Sequence, residues 1–299
     1  MVRKFGDDQA GRLAALIAYY GFFSVFPLLL VFVTVLGFVL GSDSHATRSV
    51  LTQFPIIGTE LRKGSLQGSG VALIVGILTA LWAGTAVVTA MQNAMNGVWN
   101  VPIKRTPNTF RQLPRSLVML PVFGIAALVS SLLSGFAGAG SGLVLRVMGM
   151  IVAFVVNVGL YEVAFRVLTV EDVHWRTVLP GAVVGGAFWT VLQVFGGLYV
   201  AHQVNGASQT YGSFALVIGL LSWMYLAAQG SLLAAEVNVV LARHLWPRRL
   251  IQDTPLTGAD RRALSAYGEE EERIVQERVR VSIDDAPAAP TTTPRSAEA

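Results

Sequence analysis

The pattern of the chain is set by long apolar stretches separated by short polar ones. They cover residues 13–40, 71–91, 117–136, 148–168, 178–200 and 214–241. A helix needs about 20 apolar residues to cross a hydrocarbon core of about 30 Å, and each stretch is of that order. The pattern therefore predicts an all-α fold, a polytopic membrane helix bundle of about six transmembrane helices. The first and last stretches exceed a straight crossing and are expected to tilt, kink or project into water. The fourth contains Glu162 and Arg166, whose i, i+4 spacing lets them pair on one helix face.

Between the first two stretches, residues 41–70 mix Phe54, Pro55, Ile56, Ile57 and Leu61 with Arg62 and Lys63. This is too little apolar sequence to span. Short interfacial helices and a solvated loop both fit it. After Arg249 the composition turns polar: an acidic run at 269–272, then Arg273, Arg278 and Arg280, then Pro and Thr. Residues 260–281 can form a polar helix, whereas the closing APAAPTTTPRSAEA lacks the apolar residues to order itself. The expected organisation is a transmembrane domain over 1–249, with exterior loop 41–70, and a polar cytoplasmic tail over 250–299, largely disordered.

Composition agrees with a membrane chain: 53% of the 299 residues are hydrophobic and 13% charged, against about a quarter charged in soluble domains. For such a chain the placement of the positive charges matters more than the net +4. With the N-terminus in the cytoplasm, inside segments hold Arg3, Lys4, Arg12, Lys104, Arg105, Arg111, Arg115, Arg166, Arg176, Arg243, Arg248 and Arg249. Outside segments hold Arg48, Arg62, Lys63 and Arg146. The positive-inside rule thus predicts cytoplasmic termini. The residues after Arg3 and Lys4 reach Asp7 and Asp8 too soon for a signal peptide, so the first stretch is expected to stay as an anchor. With no cysteine there is no disulfide, thiolate nucleophile or cysteine metal site.

Polar residues inside the apolar stretches are the candidates for function. Pro27 removes a donor and frees the carbonyl of Phe23, so a kink is expected beside Ser24, whose hydroxyl can bond the freed backbone. Tyr19 and Tyr20 need acceptors, which predicts that this helix faces the bundle interior at its kink. Gln92, Asn93 and Asn96 follow at helical spacing, with Gln92 and Asn96 on one face. Pro102 ends that helix, and Trp99 reads as an interfacial anchor. Glu162 and Glu236 lie near cytoplasmic helix ends with Asn157 and Asn238, and Arg166 is available to neutralise one carboxylate. Either these groups line a proton-coupled polar vestibule or they fix helix register. The small residues of GILTALWAGT and GAVVGGAFWT read as helix packing.

Three stretches, AYYGFFSVFPLLL, NAMNGVW and YGSFALVIGLLSWMYLAAQGSLLAAEVNVVLAR, resemble the YihY/BrkB family of bacterial integral membrane proteins, some of which carry the label ribonuclease BN. The likeness covers residues 8–243. It implies a six-helix inner (plasma) membrane protein with cytoplasmic termini and no settled activity. On this chain the family's motif positions are Tyr19, Tyr20, Ser24, Pro27, Asn93, Asn96, Trp99, Tyr211, Gly212, Ser213, Glu236 and Asn238. In YEVAFRVLTV the chain departs from the family pattern: Arg166 is the counterpart arginine, and Glu162 is a local feature.

The expected function is transport, or flippase-like handling, of a lipid or amphipathic envelope precursor, with membrane lipids as partners. No G-x-x-x-x-G-K-[ST] run is present to bind ATP. The alternative is a non-transporting scaffold that maintains the envelope. A nuclease would need clustered His, Asp or Glu. The four histidines, His45, His174, His202 and His244, are dispersed, and the basic loop 104–115 is what the positive-inside rule predicts without RNA. No catalytic residue, cofactor, metal or nucleic acid is expected.

Overall fold

The computed structural model describes residues 2–40, 70–107, 114, 116–118, 143–170, 173–206, 213–249 and 255–283. Among them are the α-helices α1 (Val2–Asp7), α2 (Ala10–Leu40), α3 (Gly70–Val98), α4 (Leu143–Leu168), α5 (Trp175–Gly206), α6 (Ser213–Ala242) and α7 (Gly258–Glu270) and a short 3-10 helix at Ile103–Arg105. Four are long and apolar enough to cross a membrane, over Ala10–Leu28, Leu73–Val98, Val147–Leu168 and Val217–Ala242. These match the first, second, fourth and sixth predicted stretches. The fifth lies within α5, whose 32 residues extend about 48 Å. Loop 41–69, and the third stretch beyond its first two residues, lie outside the described residues.

α2 packs along α3 and α6, and α5 lies between α4 and α6. The core they enclose sits at one end. Buried side chains gather at Ala10, Ala14 and Ala18 on α2, from Val88 to Val101 at the end of α3, at Phe165 and Leu168 on α4, at Val178 and Ala182 on α5, and from Ala228 to Leu245 on and after α6. Val71, Ile74 and Leu78 of α3, Val144, Met148 and Ile151 of α4, and Phe214 of α6 are exposed. The helices close on one another near the chain ends and present apolar side chains over their other halves.

Small residues make that closure possible. A Cβ on Gly181 would overlap the Ala234 carbonyl and the Asn238 side chain, one on Gly185 the Tyr161 ring, one on Gly186 Val158, and one on Gly230 the Phe188 ring. GAVVGGAFWT is thus the packing seam of α5 against α4 and α6, where missing side chains let backbones approach. In GILTALWAGT, Gly76 similarly meets Leu30 and Val31 of α2.

Two helix ends at the closed pole are fixed by matching caps. After α3, Asn100 has φ 48°, and the amides of Asn100 and Val101 bond the carbonyls of Gly97 and Asn96, both at 2.9 Å. After α6, His244 has φ 50°, and Leu245 bonds the Val240 carbonyl at 3.0 Å. Both are Schellman ends with a left-handed residue after the helix, and Pro102 follows the first.

The tail departs from expectation. Within 250–299, residues 255–283 are folded against the closed pole instead of trailing from it. α7 begins with a capping box in which Thr257 and Asp260 satisfy each other's amides. It is shorter than the polar helix the sequence allows over 260–281. The carbonyl of Glu272 accepts from the Lys104 amide at 2.9 Å, and its side chain pairs with the Lys104 ammonium, which draws the chain out of helical geometry.

Candidate functional site: a buried charge cluster at the closed pole

Lys4 of α1 and Asp8, in the turn just after it, come to one side by their i, i+4 spacing, and their side chains pair. That side turns inward. The Lys4 side chain is 1% exposed, Asp8 2%, and Glu236 of α6, 0%. The Lys4 ammonium lies 3.3 Å from Glu236 Oε2 and donates to the Val98 carbonyl at 2.8 Å, so one cation serves two carboxyl groups and the C-terminus of α3. Asp8 and Glu236 thus approach the same ammonium, and neither Glu236 oxygen has a hydrogen-bond partner among the described residues.

α7 covers this cluster. The Tyr267 hydroxyl donates to Asp8 Oδ1 at 2.6 Å, and burial together with Asp8 pushes the phenol above its ordinary value, so it stays a donor. Asn100 donates to Glu270 at 2.8 Å; burial raises the Glu270 carboxyl, with Asn100 opposing. Arg248 bonds Asp7 at 3.0 Å and Asp260 at 3.2 Å. Burial works against its charge, but the two carboxylates outweigh it and raise its value. Arg243 donates to the Trp99 carbonyl at 2.6 Å. Cations thus sit on the exposed carbonyls where α3 ends, as the helix dipole favours.

At the same pole, Asn96 Oδ1 accepts from the Val170 amide at 3.0 Å and Asn238 Oδ1 from the Gly181 amide at 2.6 Å. Among the described residues neither Nδ2 has a partner, nor does either polar atom of buried Gln92. Tyr161 and Ser231 bond at 2.8 Å, and Asn157 reaches Thr190 at 3.4 Å.

The candidates read from the sequence separate accordingly. Glu236, Asn238 and Asn96 are buried at the pole, and Gln92 and Asn96 share the inward face of α3 as their spacing predicts. Asn93 is exposed, because one residue along a helix turns it off that face. Tyr19 and Tyr20, at 53% and 39% exposure, do not face the interior. They stand with Leu16, Phe23 and Phe26 on an outward stripe, because the small residues Ala10, Ala14 and Ala18 take the inner face. α2 runs through Pro27, and Ser24 bonds the Gly21 carbonyl at 2.7 Å instead of the carbonyl of Phe23. Glu162 is half-buried and Arg166 exposed, and among the described residues no ion pair joins them; the counter-ion of Glu236 is Lys4. Trp99 is buried instead of lying at an interface, since the capped turn folds it under the end of α3. Ser213 opens α6, and Tyr211 lies outside the described residues.

Sequence reasoning missed Lys4, Asp8 and Tyr267. The i, i+4 pairing of Lys4 with Asp8 was a visible signal, but one read only as flanking charge.

Residues 1–254 match the family model described as Virulence factor BrkB. The chain is 27% identical over 250 residues to YfkH of Bacillus subtilis (strain 168), a protein named as ribonuclease-like, covering 76% of this chain and 88% of YfkH. It is 25% identical over 272 residues to the UPF0761 membrane protein Smlt0865 of Stenotrophomonas maltophilia (strain K279a), covering 80% of this chain and 59% of that protein. To the UPF0761 membrane protein of Pseudoalteromonas atlantica it is 24% identical over 245 residues, covering 78% of this chain and 80% of the relative. No solved structure matches the chain.

Proposed function

We propose that this chain, which belongs to the BrkB family of bacterial multi-pass membrane proteins, transports or flips a lipid or amphipathic envelope precursor across the inner membrane without a catalytic step of its own. The observation that carries this reading is the buried polar atoms on spanning helices that have no partner among the described residues, such as both atoms of Gln92 with Nδ2 of Asn96 and of Asn238. Each such group costs about 1–3 kcal/mol when unmet. A polar headgroup that visits the bundle would meet that demand, and the apolar side chains over the other helix halves suit an acyl chain. The positive-inside bias supports a cytoplasmic position for the closed pole and both termini.

A scaffold that maintains the envelope is the second reading, and the glycine seam of α4, α5 and α6 favours it, because backbones in such close approach resist separation. Native mass spectrometry with lipid analysis of the detergent-extracted protein distinguishes the two. Transport predicts selective enrichment of one lipid or lipid-linked species, lost in Gln92→Leu, and flux in reconstituted vesicles. A bound profile that mirrors the bulk membrane supports the scaffold.

A further inference from the structure

We infer that Asp8 and Glu236 form a proton-binding site in which one proton is held on Glu236 between the two carboxyl groups. The site goes beyond the transport reading and stands whether or not flux is found.

Among the described residues the charges around it come from each packed element. α1 and the turn after it supply Lys4, Asp7 and Asp8; α2 and α5 bring Arg12 and Arg176, both exposed to solvent; α3 and the turn after it supply the Val98 carbonyl and neutral Asn100. α6 supplies Glu236, and Arg243 after it is engaged with the Trp99 carbonyl. α7 supplies Tyr267 and Glu270, the latter held by Asn100. Arg248 is bound to Asp7 and Asp260. Among the described residues, one ammonium therefore faces two carboxyl groups, none of the three side chains more than 2% exposed.

A surplus negative charge in such a place is strongly disfavoured by its loss of solvation, and neighbouring carboxyl groups resist ionising together. One proton removes both penalties, converting a carboxylate into an O–H donor toward its neighbour. The geometry assigns it. Asp8 already accepts from Tyr267 on Oδ1 and from Lys4 on Oδ2, which suits the ionised form. The Lys4 ammonium lies farther from Glu236, 3.3 Å from Oε2, and neither Glu236 oxygen has a hydrogen-bond partner among the described residues. Loading and release exchange one proton with water, and Tyr267 of α7 covers Asp8 through its hydrogen bond.

The test is infrared difference spectroscopy of the full chain in lipid nanodiscs, titrated from neutral to alkaline pH. The expected result is a protonated-carboxyl C=O band at neutral pH that is lost on alkalinisation, shifts in protein carrying carbon-13 glutamate, and is absent in Glu236→Gln but retained in Glu270→Gln. Asp8→Asn, which leaves one carboxylate to one ammonium, is also expected to lose the band; burial alone would preserve it. A missing band in the wild type, a band blind to the glutamate label, or one retained in Asp8→Asn overturns the site. So does a band displaced by sodium at constant pH, which would assign the site to a metal cation. Flux plays no part in the readout, so an intact band without transport retires only the transport reading.

Discussion

The Tyr267 hydroxyl donates a 2.6 Å hydrogen bond to Asp8 across 259 residues of chain. The segment after the last spanning helix is therefore a structural partner of the segment before the first. Asn100 to Glu270 and Lys104 to Glu272 extend the same junction to the end of α3, so the tail ties three separate parts of the chain together at one pole.

Removing the donor tests that tie. Tyr267→Phe keeps the ring and strands a buried acceptor, which costs about 1–3 kcal/mol. Limited proteolysis is expected to cut the α7 region faster than in the wild type, while the spanning helices stay protected. Equal cleavage rates would mean the bond contributes nothing to holding α7.

Lys4 is expected to be more sensitive than either carboxyl group beside it. Lys4→Met leaves the Asp8 carboxylate buried without a counter-ion, a loss of about 3–5 kcal/mol, seen as reduced folded yield on size exclusion. Lys4→Met combined with Asp8→Asn removes the stranded charge and should recover part of the yield. No recovery would show that Lys4 acts through Val98 and not through the carboxyl groups.

Packing at the seam can be probed by single methyl groups. Gly181→Ala and Gly230→Ala place a Cβ against the Ala234 carbonyl and the Phe188 ring and should cost about 1–3 kcal/mol or more as the helices part. Gly159→Ala, with nothing within 4 Å of the added carbon, should leave the thermal midpoint in detergent unchanged or raised. Equal effects at the three positions would count against the seam.

Acid should loosen α7 first. Burial alone would raise the Asp260 carboxyl, but hydrogen bonds from the Thr257 hydroxyl, the Arg249 and Thr257 amides and the Arg248 guanidinium outweigh it and hold it at about 2. A depressed folded value means that the stabilisation is fully present above the unfolded value of about 3.9 and is lost as the pH falls through about 2. Amide exchange protection in the first turn of α7 is expected to fall over that window. In Asp260→Asn, protection should already be low at neutral pH and should change little with acid.

The sequence by itself determined the all-α class, four of the spanning helices and the inward face of α3, because a membrane span announces itself through length and lack of charge, and a helical face through spacing. It also marked Glu236 and Asn238, since polar side chains in apolar runs are conspicuous. Only the tertiary structure decided which side of α2 is inside. Its aromatic and alanine stripes are both apolar, and the choice between them rests on how closely α6 and α3 can approach. The partner of Glu236 was likewise decided by folding. Lys4 and Tyr267 are separated from it by most of the chain or by a polar linker, and charge complementarity over such distances has no local signature until packing brings the groups together.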